Sequence, residues 1–543
     1  MKEGLYHYAN SKALTRRRLL QGATALGGFA AMGGLSALPA RAQDDLRAQL
    51  LAIPGVGNGS PTEADWQKVG ELCLGATKTN VAEGEFAGVE LTFFGINNNG
   101  LHNILFRGLL KGWETYTGAK INWIDLAQAD YNPRLQQSIA TGTVDFDILA
   151  MGAPLEGDTA GQGLLDEMPD WVKTQIDMDD YVSYLKAPVG TWAGKTYRIT
   201  IDGDCHTFAY RKDYFGDGAI SGMAEAPTTW QQVQTVSQAV AGQTDPLTGS
   251  PAYGYLDPLK GWGGFGFYFL EDRASAYAKH PDDPAWLFDA DTMKPRVNNP
   301  AWVQAIQDVM DTMAVLPPDQ INADPGTTGF QQFLAGTGSM LCWWGDIGSN
   351  ARTSDTSVVG DVIGFSINPG SDKVYNSKTS AWETPATPNF APNMAFLGWG
   401  VYVTNRVSAD EAKRKAAWSA AAHLGGKDLS LWMAAYPSGF QPYRNSHFNY
   451  DEWAAAGYDK DFVADYLGSN ADSYNHPNAA IEPRIPGIFQ YYSVAEDELA
   501  KGYAGTYASA QETADAIAAA WEKITDQIGR DSQIALYKAS LGL

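Results

Sequence analysis

Between residues 89 and 151 the chain alternates strand-like and helix-like segments in an order that leaves few folds open. Residues 89–94 (VELTFF) read as a strand that runs into a loop of short polar residues, Asn97, Asn98 and Asn99. Ile104, Leu105, Leu109 and Trp113 then recur at helical spacing, Gly118 ends that helix, and 121–124 form a second strand. Residues 131–140 are helical again, and 146–151 (FDILAM) are a third strand. Strand, helix, strand, helix, strand at these lengths predicts an α/β unit with a parallel sheet. Ligands of such sheets sit at the carboxyl ends of the strands. That rule directs attention to Asn97, Asn98 and Asn99, and to the loop that carries Glu156 and Asp158.

Composition narrows the partners. The 543 residues carry a formal net charge of −23, which argues against nucleic acid or an anionic membrane as the main partner, since both require a basic surface. Aromatic residues make up 12% of the chain, with 17 Trp and 26 Tyr, more than a core needs and of the kind that lines pockets for ligands with apolar faces. Cys73, Cys205 and Cys342 are far apart and the seven His are scattered, so neither a zinc site nor a disulfide framework is predicted and no cofactor is expected.

The first residues read as an address. The segment 15–21 (TRRRLLQ), a Gly/Ala-rich run over 22–38 and Pro39-Ala40-Arg41-Ala42 are the parts of a signal peptide cleaved after Ala42. The paired arginines are of the twin-arginine type, which predicts export to a bacterial periplasm after folding. Gly27, Gly28, Gly33 and Gly34 dilute the run too far for a membrane anchor. Residues 43–85 are expected to form a helical extension ahead of the first domain.

The segment 194–215 (GKTYRITIDGDCHTFAYRKDYF) breaks its own pattern. Tyr197, Ile199 and Ile201 alternate with polar residues as in a half-buried strand, and 207–210 continues toward a charged turn. Between them lies Asp202-Gly203-Asp204-Cys205-His206. Asp-Gly is a hairpin-turn signal; a polar cluster inside an extended apolar segment is also the mark of a functional site.

The order of motifs along the chain carries a resemblance. The polar loop after the first strand, WETYTGAKINWI, YNPRLQQSIATGTVDFDILAM, GLLDEMPDWV, the segment 194–215, APTTWQQVQTVSQAV, GFQQFLAGTGSMLCWWGD, VIGFSINPG and AFLGWGVYVTNRVSADEAKRKAAWSAAAHL follow one another between residues 89 and 444. This ordered set resembles the bacterial extracellular solute-binding protein family 1, the sugar-type receptors of ABC importers. The resemblance implies an α/β, two-lobed periplasmic binding protein type II fold whose lobes, joined by hinge strands, close on a ligand. Crossings between lobes are then expected near 201–204, 392–398 and 438–444. Lobe one would comprise 86–201 and 398–438, and lobe two 204–394 and 440–543. In that frame Asp202-Gly203-Asp204 becomes the first crossing rather than a hairpin.

Sugars and polyols present hydroxyls that need hydrogen-bond partners and C–H faces that stack on rings, and a site built for hydroxyls rejects analogues that lack them. The chain offers both components near each proposed strand end or crossing. Lobe one contributes Asn97, Asn98, Asn99, Tyr131, Glu156 and Asp158; the first crossing contributes Asp202, Asp204 and His206. Trp343, Trp344 and Asp346 stand where the family carries a Gly-x-Trp turn, although Ile347 holds the usual aromatic position. Trp399 lies inside the paired-glycine crossing, and Phe440 and Arg444 lie on a further ligand-facing turn. Core packing is the alternative role for each Trp, and a helix cap or solvated loop for Glu156 and Asp158. Arg444 and Arg484 serve either an anionic sugar or surface acids.

Residues 261–266 (GWGGFG) match the dinucleotide pattern GxGxxG. Pro258 precedes them and aromatic residues follow, so a loop presenting Trp262 to the cleft is the expected role. Residues 513–541 read as one amphipathic helix of unassigned function. The predicted function is a monomeric periplasmic receptor that captures a carbohydrate or polyol and delivers it to an inner-membrane ABC permease. An exported glycoside hydrolase, with two carboxyls flanking the bond, is the alternative; a redox protein lacks cofactor motifs.

Overall fold

The computed structural model describes residues 40–53, 61–98, 101–261, 263–318, 320, 325–436 and 439–543. Its strands in chain order are β1 (Glu90–Asn98), β2 (Leu101–His102), β3 (Lys120–Leu126), β4 (Ile148–Gly152), β5 (Ile199–Thr200), β6 (His206–Arg211), β7 (Tyr253–Tyr255), β8 (Gly338–Trp344), β9 (Ile363–Ser366), β10 (Val374–Asn376), β11 (Ala381–Glu383) and β12 (Trp399–Val403).

β1 buries Leu91, Phe93, Phe94 and Ile96, the near-continuous apolar run of a strand covered on both faces. It pairs in parallel with β3 and β4, as the sequence pattern requires, and β2 folds back on its end. β12 joins β4 antiparallel, and β5 joins the far side of β12. A second sheet runs β7-β8-β6-β9, with β6 antiparallel to both neighbours. β5 and β6, only five residues apart, thus belong to different sheets. The Asp-Gly hairpin is not formed, because β5 finds its partner in β12 and β6 in β8 and β9.

The helix Asn103–Thr117 follows β2, and Gln128–Thr141 follows β3, both where the apolar spacing predicts them. The extension packs closely on the first of these: an added Cβ at Gly70 would lie 1.9 Å from the Leu109 carbonyl oxygen, and one at Gly108 would lie 2.7 Å from Cβ of Trp66. The helix Glu63–Leu72 approaches its neighbour at residues without side chains, so larger residues there overpack the contact. Thr229 and Gln232 form a capping box at the start of Trp230–Val240.

Two expectations are corrected. The C-terminal helix is two, Ala510–Ile528 and Arg530–Leu541, separated at Gly529 with φ of +117°. The aromatic run after Phe265 is helical (Gly266–Ala278); all thirteen of its residues are buried, Glu271, Asp272 and Arg273 included, so no amphipathic alternation marks it in the sequence. The expected leader lies outside the described residues except for Ala40 to Ala42, which open the helix Ala40–Leu51. Residues 48–543 form one compact unit.

Apolar side chains gather in separate clusters. One holds Phe94, Tyr131, Leu149, Met151 and Tyr402 around the first sheet; another holds Phe208, Trp230, Phe267, Trp302 and Trp521 around the second. Trp399 and Phe489, half-buried, pack against both.

Candidate functional site

Three crossings of the chain meet at Asp202-Gly203-Asp204. The Ile201 amide donates to the Trp399 carbonyl at 3.0 Å, which ties the first crossing to the second. An added Cβ at Gly398 (φ +87°) would lie 2.1 Å from the Asp202 carbonyl oxygen, and one at Gly203 would lie 2.3 Å from that of Pro442. Backbone can approach this closely only where no side chain intervenes. Gln441 completes the junction. Its amide donates to Asp202 Oδ1 at 2.7 Å, its side-chain amide donates to Asp204 Oδ1, and its Oε1 accepts from the Gly345 amide at 2.8 Å.

The junction is acidic and uncompensated. Asp202 and Asp204 are buried, and Asp346 is half-buried at the end of β8 with its Oδ1 enclosed and unpartnered among the described residues. Among those residues none of the three pairs with Lys or Arg. Burial raises the Asp202 carboxyl to about 7. Burial, then the negative charge of Asp202 and of Asp346, holds Asp204 well above the carboxylate range; burial, then Asp202, does the same to Asp346. Asn470 on the helix Lys460–Tyr474 faces the same turn, its Oδ1 3.2 Å from where a Gly345 Cβ would stand. A carboxyl oxygen enclosed without a partner among the described residues, as at Asp346, costs stability.

A ribbon of rings runs past these groups from one sheet to the other. His102 meets Trp399 at 4.5 Å between centroids, Trp399 meets Phe396 at 5.3 Å, and Phe396 meets Phe265 at 5.2 Å. Phe265 lies 6.2 Å from Trp344, whose indole N–H donates to the Ala395 carbonyl at 3.3 Å. His102, Phe396 and Leu397 have φ of +56°, +70° and +51°, a region that costs a residue with a side chain of order 1–3 kcal/mol. Such strain gathers where the surroundings impose a geometry, and here it aims two of the ribbon's rings. The Phe396 ring fills the space above Gly152 at the end of β4, its Cζ 2.1 Å from an added Cβ.

Several expected residues have other roles. Glu156 accepts from Arg484 Nη1 at 2.7 Å and from the Tyr402 hydroxyl at 2.9 Å, with Arg198 Nε 3.4 Å away. Asp158 accepts from the Gly487 amide at 2.8 Å, and burial raises it to about 6. The Tyr131 hydroxyl donates to the Ala150 carbonyl at 2.6 Å inside the first cluster. Arg444 is buried; it donates to Ser430 Oγ at 3.0 Å and to the carbonyls of Asp177 (3.0 Å) and Gly425 (2.7 Å), and its guanidinium lies over the Tyr181 ring. These engagements differ from the expected ligand-facing side chains, because each of the four side chains is held by a partner within the protein.

His206 is interior, its Nδ1 2.8 Å from Asp272, which also accepts from Asn368 and Asn393. Its ring meets Trp344 edge-on at 4.4 Å. Trp343 is buried and stacks on Phe269 at 5.5 Å. Phe440 is buried and stacks on Phe106 at 5.8 Å, with His102 at 5.2 Å. Asn97 is exposed at the end of β1; Asn99, Trp262 and the side chain of Asn98 lie outside the described residues. The structure thus brings together Asp202, Asp204, Asp346, Trp344 and Trp399, and adds His102, Phe265, Phe396, Gln441 and Asn470, which no motif singles out.

Comparison with known proteins fits this geometry. A mannitol-binding protein of Pseudomonas aeruginosa is 25% identical over 299 residues, 54% of this chain and 62% of that protein, so the match spans under two thirds of the relative. An ABC transporter solute-binding protein from Agrobacterium radiobacter K84, solved with ribitol, superposes with a TM-score of 0.63 at 19% identity, covering 81% of this chain and 99% of the other. One from Agrobacterium vitis S4 with D-mannitol gives 0.59 at 18% identity, covering 81% and 99%. These likenesses establish the two-lobed α/β fold. The model of the bacterial extracellular solute-binding proteins matches residues 110–457, more than half of the sequence, and the chain belongs to that family.

Proposed function

We propose that this protein is the exported receptor of an ABC importer, and that it captures a neutral polyol or sugar between lobes 86–201 with 398–438 and 204–394 with 440–543. The observation that carries the reading is the ring ribbon running beside three uncompensated carboxyls where the crossings meet. Polyol C–H faces stack on Trp399, Phe396 and Trp344, while hydroxyls donate to Asp204 and Asp346 and exchange hydrogen bonds with Asn470 and Asn97. The names of the relatives, with mannitol and ribitol, support that ligand class. Arg444, Arg484, Tyr131 and Glu156 are left out of the ligand set because their polar groups are engaged. With those guanidiniums engaged, the ribbon suits a neutral ligand better than a sugar acid.

Ligand contacts made from both lobes exist only in the closed state, so ligand shifts the population toward closure by its differential affinity. A Kd of ~1 μM corresponds to about −8 kcal/mol. The twin-arginine leader, cleavage after Ala42, residence in the periplasm, a monomeric state and delivery to an inner-membrane permease complete the reading.

A thermal-shift screen over polyols, neutral sugars and sugar acids tests it. Saturation at ~100 Kd stabilises by about 2.7 kcal/mol, so mannitol, ribitol or a related neutral ligand raises Tm and compacts the protein in small-angle scattering. A flat response to every carbohydrate and polyol overturns the reading. Release of reducing ends from an oligosaccharide, lost in Asp204→Asn, replaces it with a hydrolase.

A further inference from the structure

The glycine-rich loop that mimics a dinucleotide fingerprint holds a carboxylate of its own chain. The amide of Gly261 donates to Glu496 Oε1 at 3.0 Å, and the amides of Gly264 and Gly266 donate to Oε2 at 2.9 and 3.0 Å. Gly263 and Gly264 have φ of +77° and +107°, which turns successive amides inward, and Gly266 opens the helix Gly266–Ala278. Converging amides at a helix N-terminus form an anion cradle. Here the anion is Glu496, which reaches the loop from the helix Ile488–Tyr503.

Phe265 sits between two of the three anchored amides. Its ring is stacked on Phe489 of the same helix at 5.4 Å and continues to Phe396 and Trp344. Helix Ile488–Tyr503 therefore holds Phe265 at two points, its flanking amides by the Glu496 carboxylate and its ring by Phe489. We infer that Glu496 is a positioning residue for ligand capture: by filling the cradle it sets Phe265 in the ring ribbon, so that the loop enters the site already ordered. This rests on the ribbon being the ligand site. Preorganisation of this kind raises affinity by removing the cost of ordering the loop on binding.

The chemistry separates the variants. A carboxylate accepts all three N–H groups. A Gln at 496 keeps one acceptor oxygen and turns an NH2 toward the remaining donors, while Ala leaves the cradle empty and open to a small anion. The experiment uses the full chain with the neutral polyol that gives the largest thermal shift, and follows hydrogen exchange of the 261–266 amides without ligand alongside polyol affinity. In Glu496→Ala we expect those amides to exchange at least about tenfold faster and polyol affinity to fall about tenfold, the range for hydrogen bonds to a charged group. Formate restores both, and Glu496→Gln falls between.

In a Phe265→Ala background, Glu496→Ala should cost no further affinity, since the ring it positions is gone. Unchanged exchange in Glu496→Ala overturns the cradle. Faster exchange with unchanged affinity, or additive losses in the double variant, overturns the positioning role. If the unsubstituted protein binds no polyol or sugar, the ligand reading and the positioning role fall together, and the exchange and formate arms still decide the cradle. If Glu496→Ala unfolds, Glu496→Gln carries the same tests; unaltered exchange and affinity in that variant overturn the inference.

Discussion

Glu156 and Asp204 are both buried carboxylates, 3% and 4% exposed, and they are completed in opposite ways. Glu156 has two guanidiniums and a tyrosine hydroxyl around it, and Arg198 and Arg484 are themselves fixed by carbonyls of Val189, Leu397, Pro188 and Thr191. Asp204 meets the neutral side-chain amide of Gln441, with three further acids, Asp202, Asp346 and Glu482, nearby. A buried carboxylate that is fully paired serves the fold; one that burial and neighbouring acids keep protonated has no ion pair to contribute to it. Burial alone does not tell the two acids apart, whereas their neighbours do.

The comparison breaks most visibly at Arg484. Arg484→Ala strands Glu156 without its shortest ion pair, and the expected loss is about 3–5 kcal/mol, seen as a lower midpoint in urea unfolding. Equal stability of this variant and the unsubstituted protein would sink the structural role assigned to the cluster. Asp204→Asn, which replaces a carboxyl that burial keeps protonated with an amide of the same shape, should do the reverse, keeping or raising the stability of the ligand-free protein while weakening ligand by about two- to tenfold in calorimetry, the range for a hydrogen bond between neutral groups. A variant that binds normally moves the site away from the junction.

Gly152→Ala drives a methyl into the Phe396 ring, and overpacking of this kind costs about 1–3 kcal/mol. Ligand affinity should fall with it, because the displaced ring belongs to the ribbon; a stability loss with intact affinity would detach Phe396 from the site.

The smallest effect is a pH slope. Asp202 titrates at about 7 in the folded protein against an ordinary value of 3.8, so between those values the folded state holds more protons than the unfolded state. Stability contributed by the protonated group is therefore complete below about 4 and is lost as pH rises through about 7. The ligand-free Tm should fall by a few degrees between pH 5 and pH 8. Asp158, raised to about 6, and Glu482, raised to about 8, add to that slope. Asp202→Asn should flatten the profile without abolishing it, and an unaltered slope in that variant would remove Asp202 from the account.

The first sheet was legible in the sequence because β1, β3 and β4 are joined by helices whose apolar spacing is local. That β5 and β6 join different sheets was not legible in Asp202-Gly203-Asp204 alone, which equally described a hairpin; only the ordered set of motifs around it pointed away from one. The rest of the site depends on long-range contacts that leave little local trace. Phe396 and Leu397 adopt backbone that sequence rules assign to glycine, and nothing local announces that Gly152 makes room for one of them. Gln441 lies between Phe440 and Arg444, and the neighbours drew attention because a large ring and a charge look like ligand chemistry. Both are buried in the fold. Asn470 sits in a polar tail without a motif, and Phe265 was hidden inside a fingerprint that belongs to another chemistry.

The junction has one more consequence, in how the sequence can vary. At Gly203 and Gly398 the space of the missing methyl is taken by carbonyl oxygens of neighbouring crossings, which have no rotamer to change. In a saturation scan scored on ligand uptake, positions 203 and 398 should be empty columns, intolerant of even alanine. Asp202 and Asp204, a bond or two away, should still admit asparagine whenever the scan is scored on folding. If the scan reads that way, the boundary between folding and binding falls within the three residues 202–204.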